Sequence, residues 1–332
     1  MKIMTATAVI AAALLAAPIA QAEPLQAKFS VTLPQPTHQG FGGERFAEIV
    51  NAKAQGRIAI KVFYGAQLGN DVQVTSALQG GTIEMVVPQT TTLVGMVKEY
   101  AVLDLPFLFA NEAEAEAVLD GPVGKALLAK LPEKGLVGLG YWENGFFNTT
   151  TSNRAIARVE DFQGLKYRAI QSPISIETLK ALGANPVPLA VPEVYPALET
   201  RTVDAQGTPT AVVAALKFYE VQKFFSATRH SYGAFIPLVS KKFWDKLTPA
   251  DQKIMLDAAQ ETGAHQRKVA REAAAKALKL IGEKGLAINE VSPAEFERMR
   301  AKVQPIYDRF GADVGPELMQ MTNAELARVR KR

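Results

Sequence analysis

The sequence predicts an α/β protein of two lobes joined by a long helix. Three observations lead there. The 332-residue length suits two domains of ordinary size better than one. Strand-like and helix-like segments alternate over the first 200 residues. A helical pattern then starts at Thr248 and runs, with no proline after Pro249, to about Gly282, roughly 50 Å at 1.5 Å per residue, which is longer than one small domain is wide.

The elements follow in order. LQAKFSVTL (25–33) and IAIKVFYG (58–65) read as strands, and between them Phe46, Ile49 and Val50 show helical spacing, which makes a βαβ unit. TIEMVVPQ (82–89) is a short buried run, and GLVGLGYWE (135–143) is the next, approached by helical stretches at 111–119 and 121–131. GLKYRAIQSP (164–173) is a strand at period two, with Leu165, Tyr167 and Ala169 on one side and Lys166, Arg168 and Ile170 on the other. ISIETLKALG (174–183) is a helix closed by a C-cap glycine, and NPVPLAV and PEVYPALET supply another strand and helix. At the long helix, Thr248 suits the N-cap, Pro249 the first turn and Asp251 the capping box. Alternation of this kind predicts largely parallel sheets. No linker of low complexity divides the chain, so it is expected to cross between lobes more than once and to form a hinge.

The first 22 residues combine Lys2, an apolar run from Ala8 to about Ala20 and the small-x-small triplet Ala20-Gln21-Ala22. They read as a signal peptide, too short for a span and followed by no stop-transfer pattern, so a periplasmic chain starting near Glu23 is expected, with no stable membrane insertion. The absence of cysteine excludes disulfides, thiolate metal sites, a thiol nucleophile and a lipidated N-terminus. Removing Lys2 takes the charge balance from 37 − 33 = +4 to 36 − 33 = +3. That surplus is small and gathers partly at the C-terminus, without aromatic stacking motifs, so no nucleic-acid partner is expected.

Catalytic signatures are lacking. His38, His230 and His265 are scattered without ligand spacing, and no metal or cofactor is expected. The sequence has neither a GxSxG elbow nor a GxxxxGK[ST] loop, and GLVGLGYWE lacks the third glycine of a dinucleotide fingerprint. Asp104 and Asp204 read as helix or turn caps ahead of acid–base groups.

Taken together, QGRIAIKVFYGAQLGND (55–71), GGTIEM (80–85), LDLPFLF (103–109), TSNRAI (151–156), DFQGLKYRA (161–169), LGANPVPLAVPEVYPALETRTVDAQ (182–206), FYEVQKFFSATRH (218–230) and LVSKKFWDKL (238–247) resemble the DctP-like solute-binding proteins of tripartite ATP-independent periplasmic (TRAP) transporters. The resemblance covers nearly the whole mature chain. It implies a two-lobed periplasmic-binding-protein architecture with mixed sheets and a ligand cleft between lobes. Lobe I would comprise 23–145 plus 234–273, and lobe II 146–233 plus 274–332. It also implies that the protein is no enzyme, and that it captures a small organic acid and delivers it to TRAP permease subunits driven by an ion gradient.

By the same resemblance Arg168 clamps the ligand carboxylate. A planar guanidinium offers two parallel N–H donors, fixing orientation as well as charge. Without that context a strand Arg is more often solvated. Gln89 and Asp71 match polar site positions, Asp71 reading equally as an N-cap. Gln171 is a further polar candidate, Val191 a lining residue, Thr208 a residue facing the cleft and Phe147 (or Phe146) an apolar wall. Glu193 and Tyr195 read as helix packing. Where many members carry a second Arg, Asn148 stands nearest. One cation and several apolar walls favour a monocarboxylate of aromatic or branched body, since a second carboxylate would be left poorly paired. A binding protein of an ATP-driven importer or chemoreceptor, or an enzyme using the same cleft, are the other readings.

Overall fold

In the computed structural model, residues 23–331 are described; the signal-peptide reading of 1–22 lies outside them. The chain opens as expected. β1 (Leu25–Ser30) and β2 (Ile58–Phe63) pair in parallel around α1 (His38–Lys53), whose first turn is capped when Thr37 accepts from the Gly40 amide. α2 (Asp71–Gly80) begins with a capping box in which Asn70 accepts from Val72 and Gln73. The N-cap is therefore Asn70, and Asp71 is left for other contacts. Only Met85–Val86 of the run 82–89 forms a strand, β3. Short 3-10 turns over Thr90–Leu93 and Lys98–Asp104 precede α3 (Glu112–Asp120) and α4 (Pro122–Leu128).

The run 135–143 is broken at Gly140, whose φ of 131° takes it out of the strand. It becomes the end of β4 (Leu136–Gly138) and the start of β5 (Trp142–Thr151). β6 (Lys166–Ala169), α5 (Pro173–Leu182), β7 (Asn185–Pro188), α6 (Val191–Glu199), β8 (Ala205–Pro209) and α7 (Thr210–Ala215) lead to the twelve-residue β9 (Phe224–Phe235). β10 (Leu238–Ser240) and α8 (Lys241–Trp244) come before α9 (Pro249–Glu283), a 35-residue helix capped by Thr248 as its sequence predicts. β11 (Ala287–Glu290), α10 (Pro293–Val314) and α11 (Pro316–Arg330) finish the chain; the sequence reading had not assigned these three.

The strands form two sheets, in orders β2-β1-β3-β10-β4 and β11-β9-β5-β8-β6-β7. Both are mixed, as the resemblance implies, and this corrects the largely parallel sheets expected from alternation alone: β10 runs antiparallel to β3 and β4, and β5 runs antiparallel to β8 and β9. The physical reason is that β5 and β9 pair directly along their length and need no crossover helix.

Those two strands also tie the sheets together. Phe235 at the end of β9 bridges Gln89, and the chain continues through Ile236 into β10 of the first sheet. Trp142 at the start of β5 packs edge-on against Phe29 of β1. α9 lies across both parts, against α1 of the first and α7 of the second. Gln266 of α9 forms paired 2.7 Å hydrogen bonds with the main chain of Glu143 on β5. The last helix, α11, packs on α3 and α4, with Arg330 bonded to the buried Glu114.

Candidate functional site

β6 lies between β8 and β7. On its Lys166 and Arg168 side, Lys166 is exposed and Arg168 is only 3% exposed. The strand therefore sends one cation to water and one into the protein. Arg168 Nε donates to the Leu189 carbonyl at 2.9 Å, which fixes the guanidinium against the β7–α6 loop. Among the described residues, the guanidinium makes no ion pair, and Arg168 lines a cavity. Burial pushes Arg168 down to about 10, against the opposing fields of Asp71, Tyr167 and Glu193. A buried cation held only by a carbonyl keeps N–H donors that can pair with an anion.

The first sheet supplies the opposite wall. The Asp71 carboxylate accepts from Thr32 Oγ1 and, at 3.1 Å, from the Gln89 amide. Burial raises its pKa, while those bonds and Arg168 act the other way. Gln89 donates Nε2 to Thr91 Oγ1 at 3.1 Å and accepts through Oε1 from Asn144 Nδ2 at 3.3 Å. Asn144 Oδ1 in turn lies 3.3 Å from His38 Nε2. Burial drops the His38 imidazole to about 4, so it is neutral.

The second sheet shapes its wall with an irregularity. Between Phe147 and Thr149 of β5 the β9 register jumps from Ser231 to Ser226, and β9 bulges there. The bulge brings His230 into the cavity, where its Nδ1 meets Thr228 Oγ1 at 2.8 Å and burial holds it neutral near 4. Gly207 lies beneath it: a Cβ at that position would stand 2.8 Å from Tyr167 Oη and 3.0 Å from His230 Cε1. Only glycine leaves both side chains in place.

Two small chambers result, with cavity volumes of about 30 and 20 Å³, and Arg168, Gln89 and Ile170 line both. Phe147 lines the larger; Asp71, Gln171 and Val191 line the smaller. Asn148 and Thr208 line neither. Asn148 is instead spent on the bulge, accepting from the Arg229 amide at 3.2 Å and donating to Thr210 Oγ1 at 3.3 Å. Thr208, opposite it on β8, is buried with no partner for its hydroxyl. Glu193 closes the first turn of α6 by accepting from the Ala190 amide, and Tyr195 donates to Glu220, so both hold structure.

Thr91, Tyr167, Thr178, Gly207 and His230 also line the larger chamber, though nothing in the sequence marks them for the site, and Asp104, whose sequence context suggests a cap, lines it too. His230 lies in a bulge that no periodicity announces. Asp104 ends a 3-10 turn, where a cap is the ordinary expectation, yet its carboxyl lines the cavity. Among the described residues, no group of three His, Cys, Asp or Glu side chains forms a metal site, and no helix is long and apolar enough to cross a membrane.

Residues 29–313 match the family model DctP, "Bacterial extracellular solute-binding protein, family 7". The chain is 38% identical over 261 residues to the 2,3-diketo-L-gulonate-binding periplasmic protein of Escherichia coli, covering 79% of this chain and 80% of that one. A TRAP periplasmic solute-binding protein from Ochrobactrum anthropi, solved with a C-terminus bound in its ligand-binding pocket, is 45% identical, with a TM-score of 0.84 over 93% of this chain and 97% of its own. The sugar acid binding protein of Advenella mimigardefordensis, solved with galactonate, is 38% identical, with a TM-score of 0.90 over 92% of this chain and 99% of its own.

Proposed function

The chain belongs to the DctP family of bacterial extracellular solute-binding proteins, a family of binding proteins and not of enzymes, and from that premise we propose that it captures a hydroxylated monocarboxylate on Arg168 and delivers it to a TRAP permease. The observation behind this reading is Arg168 itself: among the described residues it is hydrogen-bonded through Nε alone, it is buried, and it lines both chambers, which leaves its other N–H groups to an anion. Among the described residues it is the single Lys or Arg lining either chamber, facing Asp104 in one and Asp71 in the other, and both histidines nearby are held neutral, so one ligand carboxylate finds a cation and a second does not. Gln89, Thr91, Ser175, Thr178 and Ser231 surround the larger chamber with groups that bond hydroxyls. That lining favours a hydroxylated body over an aromatic or branched one. It agrees with the ligands named for the Escherichia coli and Advenella relatives, which are both sugar acids with one carboxylate.

The working cycle follows from the two-part fold. Lobe I (23–145 plus 234–273) and lobe II (146–233 plus 274–332) part at β5, β9 and α9, and the acid bridges Arg168 of one to Gln89 of the other. Contacts from both lobes favour the closed form, which is the one handed to the permease. Removal of residues 1–22 as a signal peptide places the mature chain in the periplasm.

Melting of the mature protein and of Arg168→Met across sugar monocarboxylates and dicarboxylates tests this. An acid at 100 times its Kd adds about 2.7 kcal/mol to wild type. The reading expects that shift from a hydroxylated monocarboxylate in wild type only; an equal shift in both proteins refutes the clamp.

A further inference from the structure

We propose that Asp104 and Thr178 form a hydroxyl-reading subsite that selects a ligand bearing an alcohol, and rejects one bearing a second carboxylate, at the part of the larger chamber they line. The inference rests on the functional reading above and deepens it.

Asp104 is 9% exposed and Thr178 5% exposed, and both line that chamber from different elements, the 3-10 turn Lys98–Asp104 and α5. Thr91 Oγ1 donates its one proton to Asp104 Oδ1 while accepting from Gln89 Nε2. This anchors one carboxyl oxygen. The other, Oδ2, is buried and has no hydrogen-bond partner among the described residues, and neither has Thr178 Oγ1. Buried polar atoms of this kind are rarely left unmet in a folded protein. Here one atom needs a donor and the other has a proton to give. An alcohol supplies both functions, donating to Asp104 and accepting from Thr178. A carboxylate supplies no proton and brings a like charge against Asp104.

Among the described residues, Arg168 is the one charged group besides Asp104 that lines the chamber. His230 is tied to Thr228 and neutral, and the Tyr167 hydroxyl is shared with Thr149 Oγ1 at 2.8 Å. Arg168 is assigned to the ligand's own carboxylate. Burial raises the Asp104 carboxyl to about 7, the direction expected for an acid short of donors. Measurements are therefore made at pH 8, where the carboxylate predominates.

The probes are galactonate and galactarate, which differ only in whether the sixth carbon is an alcohol or a carboxylate. Calorimetric affinities are compared in wild type, Asp104→Asn, Thr178→Val and Arg168→Met. Wild type is expected to prefer galactonate. Asp104→Asn, which removes the charge and adds an N–H donor, should shrink that preference at least tenfold, and Thr178→Val should weaken galactonate at least fivefold. A preference within twofold of wild type in Asp104→Asn overturns the subsite. If that variant does not fold, unchanged galactonate affinity in Thr178→Val overturns it. Loss of both acids in Arg168→Met alongside an unchanged preference in Asp104→Asn leaves the clamp standing and sinks this inference alone. No binding of either acid by wild type sinks both.

Discussion

Replacing Arg168 by Met is expected to make the empty protein more stable while destroying its response to ligand. Arg168 is 3% exposed, and among the described residues its guanidinium is bonded only to the Leu189 carbonyl. Its displacement from the ordinary arginine value to about 10 corresponds to roughly 3 kcal/mol of unfavourable burial. Its folded pKa is depressed, so the cost is present throughout the range below about 10, neutral pH included. Methionine fills similar space without charge, but its removal of the cation deprives Asp71 of a favourable field, so the net gain is put at about 1–3 kcal/mol. With ligand the sign reverses. Truncating one side of a buried charge pair costs about 2–5 kcal/mol, a Kd increase of roughly 30-fold to several thousand-fold. Urea unfolding with and without galactonate reads both quantities. A variant less stable than wild type when empty, or one that keeps its affinity within threefold, refutes the picture of an unpaired cation awaiting a carboxylate.

Other consequences follow from neighbouring residues. Gly207→Ala drives a methyl into Tyr167 and His230, so it should cost about 1–3 kcal/mol in stability and weaken acid binding at least tenfold; wild-type values in both assays contradict the geometry. His38 is held near 4, below its ordinary 6.5, so the unfolded chain takes up that proton first as pH falls, and stability drops between about pH 6.5 and 4. His38→Gln should reduce that drop by up to about 3 kcal/mol in melts at the two pH values, and an unaltered slope counts against neutral burial. Arg271 bonds the buried Glu143 carboxylate at 2.9 and 3.0 Å from α9. Because Arg271 is partly exposed, solvent screening keeps the loss in Arg271→Ala at about 1–2 kcal/mol, and no loss on chemical unfolding shows the pair is idle.

Much of this molecule was legible in its sequence where local rules act alone. The Thr248-Pro249-Asp251 cap announced α9, and apolar spacing gave the first βαβ unit. Sheet direction was not legible, because WENGFFNTTT and FFSATRHSYGAF are polar enough to hide two long strands that pair antiparallel across the fold. The same concealment affected the site. Arg168, Gln89, Asp71, Gln171, Val191 and Phe147 come together at the cavity, whereas Asn148 is consumed by a bulge that only the three-dimensional pairing creates. Asp104 and Thr178 are far apart in sequence, and what distinguishes them is an unmet hydrogen bond, a property of packing and not of either residue type.

The most direct test is a crystal structure of the protein with whichever acid of the panel binds it most tightly. The account expects one carboxylate with its oxygens 2.7–3.2 Å from the terminal nitrogens of Arg168, in the range of charge-assisted hydrogen bonds. A carboxylate seated elsewhere, with Arg168 left facing the uncharged part of the ligand, contradicts it.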